Sequence, residues 1–236
     1  MLDVSDAVHA GSMSSASSKS DSKQRAETRS PRAKAPQILI YKERRFWRAM
    51  RRGGDILLAL LLLIPALPII GIACLAILLE DGAPTVFEQR RAGRFERTFI
   101  IYKLRTMRKE QCGDGPSPTS GADSRITNVG RFLRKTSIDE LPQLFNVLLG
   151  DMSLIGPRPE MPVIINERYE NWQHLRHLIP PGITCIWQAT VRSSVPLDRP
   201  EATALDCDYI SRACAGLDGE VLLRTAASVL LRRGAF

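Results

Sequence analysis

The feature that most limits what this chain can fold into is an uncharged apolar run at residues 56–79, 24 positions in a chain of 236. As one straight helix, at about 1.5 Å per residue, the run is about 36 Å long. That length is enough to cross the hydrocarbon core of a bilayer. Length alone therefore predicts a transmembrane helix.

Two further features favour a path in which this segment enters the membrane and returns to the same side. Pro65 and Pro68 lie near its middle, and each lacks a backbone N–H, so we expect the helix to break and bend there. Basic residues flank both ends, and the positive-inside tendency then places both ends in the cytoplasm. From these features alone an ordinary kinked spanning helix is an equal alternative, because spanning helices tolerate proline.

Composition divides the chain into three regions. Residues 1–36 are rich in Ser, Ala, Lys and Arg without a periodic apolar pattern, so we expect a disordered tail. Residues 37–80 combine a basic interfacial segment with the apolar run, and residues 81–236 are expected to form one cytoplasmic domain. The fold class predicted is α+β, mostly α, in a monotopic membrane protein whose small cytoplasmic domain contains a β-hairpin and amphipathic surface helices.

Local patterns within the third region give its expected elements. Residues 84–89 and 97–103 are short apolar-rich runs around a turn at 92–94, which predicts the hairpin. Residues 109–124 lack periodicity and predict a mobile loop. Helices are expected over 141–149, 161–178 and 220–233. The last of these is equally compatible with the membrane surface and with packing on the core.

The net charge of +8 favours anionic partners: phosphorylated substrates, acidic lipid headgroups or nucleic acid. Nucleic acid is the weakest of these, because the sequence has no zinc-finger spacing and no aromatic RNA-binding signature. The five cysteines are scattered and form no CxxC pair, which argues against a disulfide framework or a zinc site and fits a reducing compartment.

Two adjacent carboxylates, Asp139 and Glu140, are the leading candidates for chemistry. They lie near a predicted helix start, because Pro142 is comfortable only in a first turn. Ser137 and Glu140 fit a capping box, so the motif alone is more typical of a helix cap. The functional alternative is that one carboxylate attacks phosphorus, or that the pair holds Mg²⁺ together with substrate phosphates.

Basic residues elsewhere are candidates for binding phosphate. Arg158 lies between two prolines, which restricts its backbone and positions its guanidinium for a bidentate grip on phosphate. Lys103 and Arg105, after the predicted hairpin, could contact a nucleotide or a lipid phosphate. The alternatives without a function are that Arg158 is a surface residue of an ordinary loop and that Lys103 and Arg105 lie at a solvated strand end.

An ordered set of segments resembles the bacterial polyprenyl-phosphate hexose-1-phosphate transferases, the small monotopic phosphoglycosyl transferases. The resemblance covers residues 48–236, and its most specific parts are 100–107 (IIYKLRTM), 123–131 (DSRITNVGR), 135–144 (KTSIDELPQL), 150–159 (GDMSLIGPRP) and 180–184 (PPGIT). The sequence departs from the family where Ile64, rather than Ser, precedes Pro65. It departs again at residues 189–194 (ATVRSS), where relatives usually have a Gly-Arg-Asn turn.

The resemblance implies a mechanism and a set of partners. Asp139 would be the nucleophile that attacks a UDP-sugar and releases UMP, Glu140 would be its partner, and both would bind Mg²⁺. Polyprenyl phosphate would then accept the sugar phosphate, at the cytoplasmic face of the inner membrane. The family's re-entrant helix also favours the returning path. The residues placed in the substrate-binding set are Lys103, Arg105, Arg134, Arg158 and Gln188.

Two other functions compete with the transferase. A non-catalytic membrane scaffold would use the basic surface to hold lipid or an assembly partner, and a hydrolase would use water in place of the lipid acceptor. The sequence names neither the sugar nor the glycan pathway, and it is compatible with a homodimer.

Overall fold

The computed structural model describes residues 45–111, 123–190 and 199–230. The expected disordered tail at 1–36 lies outside the described residues, and so does most of the expected loop at 109–124. The elements below therefore refer to these three ranges.

The longest element is α1, Arg45–Asp81, a helix of 37 residues that contains both Pro65 and Pro68. It is the one helix of the described ranges that is long and apolar enough to cross a membrane. Neither proline interrupts it, so the expected break in the helix at these positions is not found. A proline removes a single N–H donor from the helix ladder, and neighbouring hydrogen bonds can carry the helix past it. The re-entrant path itself stays a prediction.

One narrow face of α1 packs against the rest of the protein. Ala59, Leu63, Ala66, Ala73 and Ile77 are buried at alternating spacings of three, four and seven residues, and they contact the two main hydrophobic clusters. This spacing lies on one side of an α-helix. Large apolar side chains cover the remaining surface and are exposed, among them Leu61, Ile64, Leu75 and Leu79. An exposed apolar surface of this size is typical of contact with a membrane or with another protein.

Both ends of α1 are hydrogen-bonded to the domain that follows it. Near its start, Arg52 donates to the carbonyls of Val147 and Leu148, and Asp55 accepts from the hydroxyl of Ser153. At its end, Glu80 accepts from the backbone N–H groups of 128 and 129, and Asp81 pairs with Arg105.

Two arginines of the basic interfacial segment before the apolar run bind the protein itself. Arg51 donates to the carbonyl of Ile155 and to the hydroxyl of Tyr209, and it also lies 3.4 Å from Asp218. Arg52 satisfies the last carbonyls of a short helix. These two side chains therefore fix α1 to the domain.

The predicted hairpin is confirmed. Strands β1 (Val86–Ala92) and β2 (Thr98–Leu104) pair antiparallel, with Val86 opposite Leu104 and Ala92 opposite Thr98. A 3₁₀ turn at Arg94–Glu96 joins them. The buried Asn146 accepts from the N–H of Tyr102 and donates to the carbonyl of Ile100, so one side chain fixes β2 to the helix that carries it.

The remaining elements are short. In chain order they are α2 (Asn128–Thr136), a 3₁₀ turn (Ile138–Glu140), α3 (Gln143–Leu149), β3 (Ser153–Ile155), α4 (Pro162–Arg168), a 3₁₀ helix (Asn171–Leu178), β4 (Gly182–Thr184), α5 (Ile186–Thr190), α6 (Pro200–Arg212) and α7 (Ala215–Leu230). Strands β3 and β4 pair in parallel. A further 3₁₀ turn lies at Lys109–Gln111.

Three expected helices can be compared with the structure. The one at 141–149 exists as α3, Gln143–Leu149, and its predicted end at Gly150 is confirmed, with Gly150 in the left-handed conformation. The one at 161–178 is divided, because Glu170 and Gln173 form a capping box that begins a new 3₁₀ helix. Residues 220–230 of the one at 220–233 belong to α7, whose Val221 is buried in the main hydrophobic cluster while Leu223 is exposed, and residues 231–233 lie outside the described ranges.

Candidate active site

The two candidate carboxylates lie in the 3₁₀ turn between α2 and α3. Helix α2 ends at Thr136, and the next residue, Ser137, adopts the left-handed conformation (φ 57°, ψ 18°) and so redirects the chain. The Ser137 side chain makes no capping hydrogen bond, and the residue before α3 is Pro142, which has no side-chain acceptor. The structure therefore does not form the capping box that the sequence suggested, and Glu140 is available for another contact.

Glu140 instead accepts hydrogen bonds from two cations on different elements. Its Oε1 atom lies 3.3 Å from Nζ of Lys103, at the end of β2, and 2.7 Å from a guanidinium nitrogen of Arg158. All three side chains are largely buried. The carboxylate raises the pKa of Arg158 although burial acts against the cation, whereas burial prevails at Lys103 and lowers its pKa.

Asp139 lies next to this group in a different environment. Burial and the neighbouring Glu140 charge raise its pKa above the usual value for Asp, and the cations Lys103, Arg134 and Arg158 oppose this shift. No hydrogen bond to its carboxylate comes from the described ranges. Three cations therefore surround two acids, and the excess positive charge favours an incoming anion such as a diphosphate.

Close contact between α2 and the end of the hairpin places Arg134. A Cβ atom on Gly130 would lie 2.1 Å from the carbonyl oxygen of Thr106, so only glycine allows this approach. The Nε atom of Arg134 donates to the Thr106 hydroxyl at 2.8 Å. The backbone N–H of Thr127 also donates to the Thr106 carbonyl at 3.1 Å. Helix α2 is thus fixed to the strand that carries Lys103.

A buried network holds the loop of Arg158 from behind. Arg176 is fully buried, donates to the Arg158 carbonyl at 2.7 Å and pairs with Asp206 at 2.6 Å. Arg91 pairs with Glu160 at 3.2 Å. Sequence reasoning missed these four supporting residues, because their charges carry no local pattern and their partners come from distant segments.

The two other predicted substrate-binding residues lie apart from the carboxylates. Arg105 is buried and donates to the Asp81 carboxylate at 2.9 Å and to the carbonyl of Gly82 at 2.8 Å, so it joins the hairpin to the end of α1. Its expected contact with substrate stays a prediction. Gln188 is half-buried on α5 beside the thiol of Cys185. Burial raises the pKa of that thiol, and Arg158 is among the groups that oppose the shift.

The described residues contain no cluster of three His, Cys, Asp or Glu side chains able to hold a metal ion by themselves. Two adjacent carboxylates fit the way in which Mg²⁺ is bound in phosphate-transferring sites, through one or two acids, water and the substrate's own phosphates. Asp139 and Glu140 are the residues that could contribute.

Comparison with known proteins assigns the chain to a family. The family model for bacterial sugar transferases matches residues 46–232. This range contains all the candidate residues of the site.

Individual relatives carry related names. A galactosyl transferase, CpsE, from Streptococcus agalactiae is 42% identical over 66% of this chain and 37% of its own length. A UDP-glucose:undecaprenyl-phosphate glucose-1-phosphate transferase from Caulobacter vibrioides is 39% identical over 79% of this chain and 72% of its own length. An undecaprenyl-phosphate galactose phosphotransferase from Salmonella typhimurium is 37% identical over 80% and 42%. The chain thus spans about two fifths of the first and third of these relatives.

Proposed function

The chain belongs to the bacterial sugar transferase family, and from this premise we propose that it transfers a sugar 1-phosphate from a UDP-sugar to polyprenyl phosphate and releases UMP. The proposal includes a covalent intermediate on Asp139 and a first membrane step of polysaccharide or glycoconjugate synthesis. The relatives named for undecaprenyl phosphate and for UDP-glucose support the substrate classes. The identity of the sugar stays open.

The chemistry proceeds in two displacements. A carboxylate oxygen of Asp139 attacks the sugar-linked phosphorus, an acyl–phosphate bond forms, and the bond to the bridging oxygen breaks so that this oxygen leaves with UMP. A phosphate oxygen of the polyprenyl acceptor then attacks the same phosphorus. The bond to Asp139 breaks, its carboxylate is restored, and the product is polyprenyl diphosphosugar. Covalent catalysis of this kind divides one difficult transfer into two easier steps.

The observation that carries the proposal is the contrast between the two acids. Glu140 is engaged by Lys103 and Arg158, whereas no described side chain donates a hydrogen bond to the Asp139 carboxylate beside it. Glu140 therefore orients two cations toward a bound diphosphate, and these cations can stabilise charge on its oxygens during transfer. Arg134, whose Nε atom donates to the Thr106 hydroxyl, adds a third cation from α2.

Asp139 and Glu140 would hold Mg²⁺ in the substrate complex. When bound, the metal would neutralise charge on the diphosphate and orient the leaving phosphate. The chain's own contribution is to keep two carboxylates adjacent and surrounded by cations.

We also propose that the protein is monotopic and faces the cytoplasm from the inner membrane. Both ends of α1 are bonded to the same domain, and its other faces expose large apolar side chains. A lipid phosphate at the membrane surface could then reach the site without leaving the bilayer.

The experiment is UMP release by the purified protein in a membrane mimic, with a panel of UDP-sugars, with and without undecaprenyl phosphate and Mg²⁺. We expect sustained release that needs lipid and metal, and its loss in Asp139→Asn. The matched control is Asp208→Asn, because Asp208 lies on the exposed surface of α6. Sustained UMP release that does not need undecaprenyl phosphate would instead indicate a hydrolase. Retained glycan synthesis in cells by Asp139→Asn would indicate a scaffold.

A further inference from the structure

An apolar groove lies between α1 and α2. Its volume is about 440 Å³, within the range of small-molecule sites. We call it the α1–α2 groove and define it by six of its lining residues: Ile72, Ala73 and Ala76 of α1, Phe132 and Leu133 of α2, and Ile138. Ala73 and Leu133 are buried at its floor, whereas Ile72 and Phe132 are exposed at its rim.

The groove is adjacent to the candidate catalytic turn. Ile138 lines the groove and is followed directly by Asp139, so the two Cα atoms are about 3.8 Å apart. The floor also belongs to a cluster that contains Leu104, the residue after Lys103. The same two backbone segments thus present apolar side chains to the groove and charged side chains to the site.

The rim of the groove is continuous with the exposed apolar surface of α1. Ile72 and Phe132 are 70% and 58% exposed, and the neighbouring outward positions of α1 are Leu75 and Leu79. On the α1 side the groove is lined by Ala73 and Ala76, whose small side chains leave room for a ligand. A hydrocarbon tail bound in this groove would therefore extend from the exposed apolar surface of α1 to the cations of the candidate site.

We propose that the α1–α2 groove binds the first isoprene units of the polyprenyl phosphate acceptor and directs its phosphate to Asp139. This inference rests on the proposed function and deepens it. The occupant follows from complementarity: an apolar tail that ends in a dianionic phosphate matches an apolar groove adjacent to the site of Lys103, Arg134 and Arg158. Filling the groove should impair transfer to the lipid without impairing attack on the UDP-sugar.

The test substitutes two neighbouring residues of α1. Ala76→Phe places a ring in the groove, and Leu75→Phe places the same ring on the outward face. With undecaprenyl phosphate, we expect Ala76→Phe to raise the KM for the acceptor about tenfold or more, as overpacking of a filled site requires. Leu75→Phe should leave this KM unchanged. A second groove variant, Phe132→Ala, removes one wall and should also raise the KM for the acceptor.

Two further measurements separate the inference from the proposed function. Single-turnover UMP release without acceptor reports the first displacement, and it should be equal in wild type, Ala76→Phe and Leu75→Phe. A prenyl phosphate of two isoprene units carries the same first units as undecaprenyl phosphate, so its KM should also rise in Ala76→Phe.

The inference is overturned if Ala76→Phe and Leu75→Phe show the same acceptor KM, which would assign the groove to membrane lipid. An unchanged KM for the two-unit acceptor in Ala76→Phe would overturn it as well. Absence of single-turnover UMP release in the wild type would instead refute the proposed function.

Discussion

The two neighbouring acids show how adjacent residues of similar chemistry can differ in role. Glu140 pairs with Arg158 at 2.7 Å and with Lys103 at 3.3 Å, and so determines where these two cations lie. Asp139 shares the same cations only through space, and its pKa is raised by burial first and by Glu140 second. A carboxylate that is close to cations but not hydrogen-bonded by them keeps its oxygens available for attack on phosphorus.

Arg158 gives the most direct prediction at this scale. Its guanidinium contacts Glu140 while its backbone carbonyl is held by Arg176, so both its position and its orientation are specified. We expect Arg158→Lys to keep the charge but lose the planar fork. One charged hydrogen bond contributes about 1.5–3 kcal/mol, so kcat/KM for UMP release should fall about 10-fold to 100-fold.

The matched control for this prediction is Arg168→Lys, because Arg168 lies at the exposed end of α4. Equal activity of Arg158→Lys and wild type would show that charge alone is needed at position 158 and that the fork geometry has no role.

At the scale of elements, the site depends on how closely α2 approaches the end of the hairpin. Gly130 makes that approach possible, since a methyl group there would meet the Thr106 carbonyl at 2.1 Å. Gly130→Ala must therefore shift α2, and with it Arg134 and the turn that carries Asp139. We expect a loss of about 100-fold or more in kcat/KM, because a displacement near 1 Å can have this effect on a reacting group.

Gly71→Ala is the control for this change. Gly71 also lies in a helix, α1, and nothing lies within 4 Å of a Cβ atom placed there. Its alanine variant should retain wild-type activity and have equal or higher stability. Similar activities of the two alanine variants would mean that α2 can move without disturbing the catalytic turn.

The elements also show what the sequence could predict. The hairpin and the end of α3 follow from local signals, a turn between β-rich runs and a glycine after an apolar run, and both are confirmed. The division of the helix expected at 161–178 depends on reciprocal bonds between Glu170 and Gln173, which compete with helix continuation. The proline-containing helix α1 is continuous because its packing against the domain outweighs the local disturbance at Pro65 and Pro68.

The same distinction holds within the site. Asp139, Glu140, Lys103 and Arg158 were recognisable as candidates, and the structure brings them together. Arg105 was not distinguishable by sequence from Lys103, two residues before it, although its side chain turns to Asp81 instead. Supporting pairs such as Arg176 with Asp206 join segments 30 positions apart, and only the folded chain reveals such a partner.

At the scale of the whole molecule, the question is on which side of the membrane each end of α1 lies. Arg52 and Asp55 near its start and Glu80 and Asp81 at its end all bond to the domain after it. A helix crossing the bilayer would carry one set of these bonds to the opposite face, where the domain could not supply partners. Buried polar groups without partners are costly, so both ends should lie on one side.

Reporter fusions can test this arrangement in bacterial cells. We expect green fluorescent protein to fluoresce and alkaline phosphatase to be inactive when either is fused to the N-terminus or to the C-terminus of the chain, since both ends of α1 would then face the cytoplasm. Using both reporters at each terminus provides the internal control, because one of the two must be active at any given terminus: green fluorescent protein in the cytoplasm or alkaline phosphatase in the periplasm. An active phosphatase at the N-terminus together with a fluorescent C-terminal fusion would contradict the monotopic arrangement and establish a spanning helix.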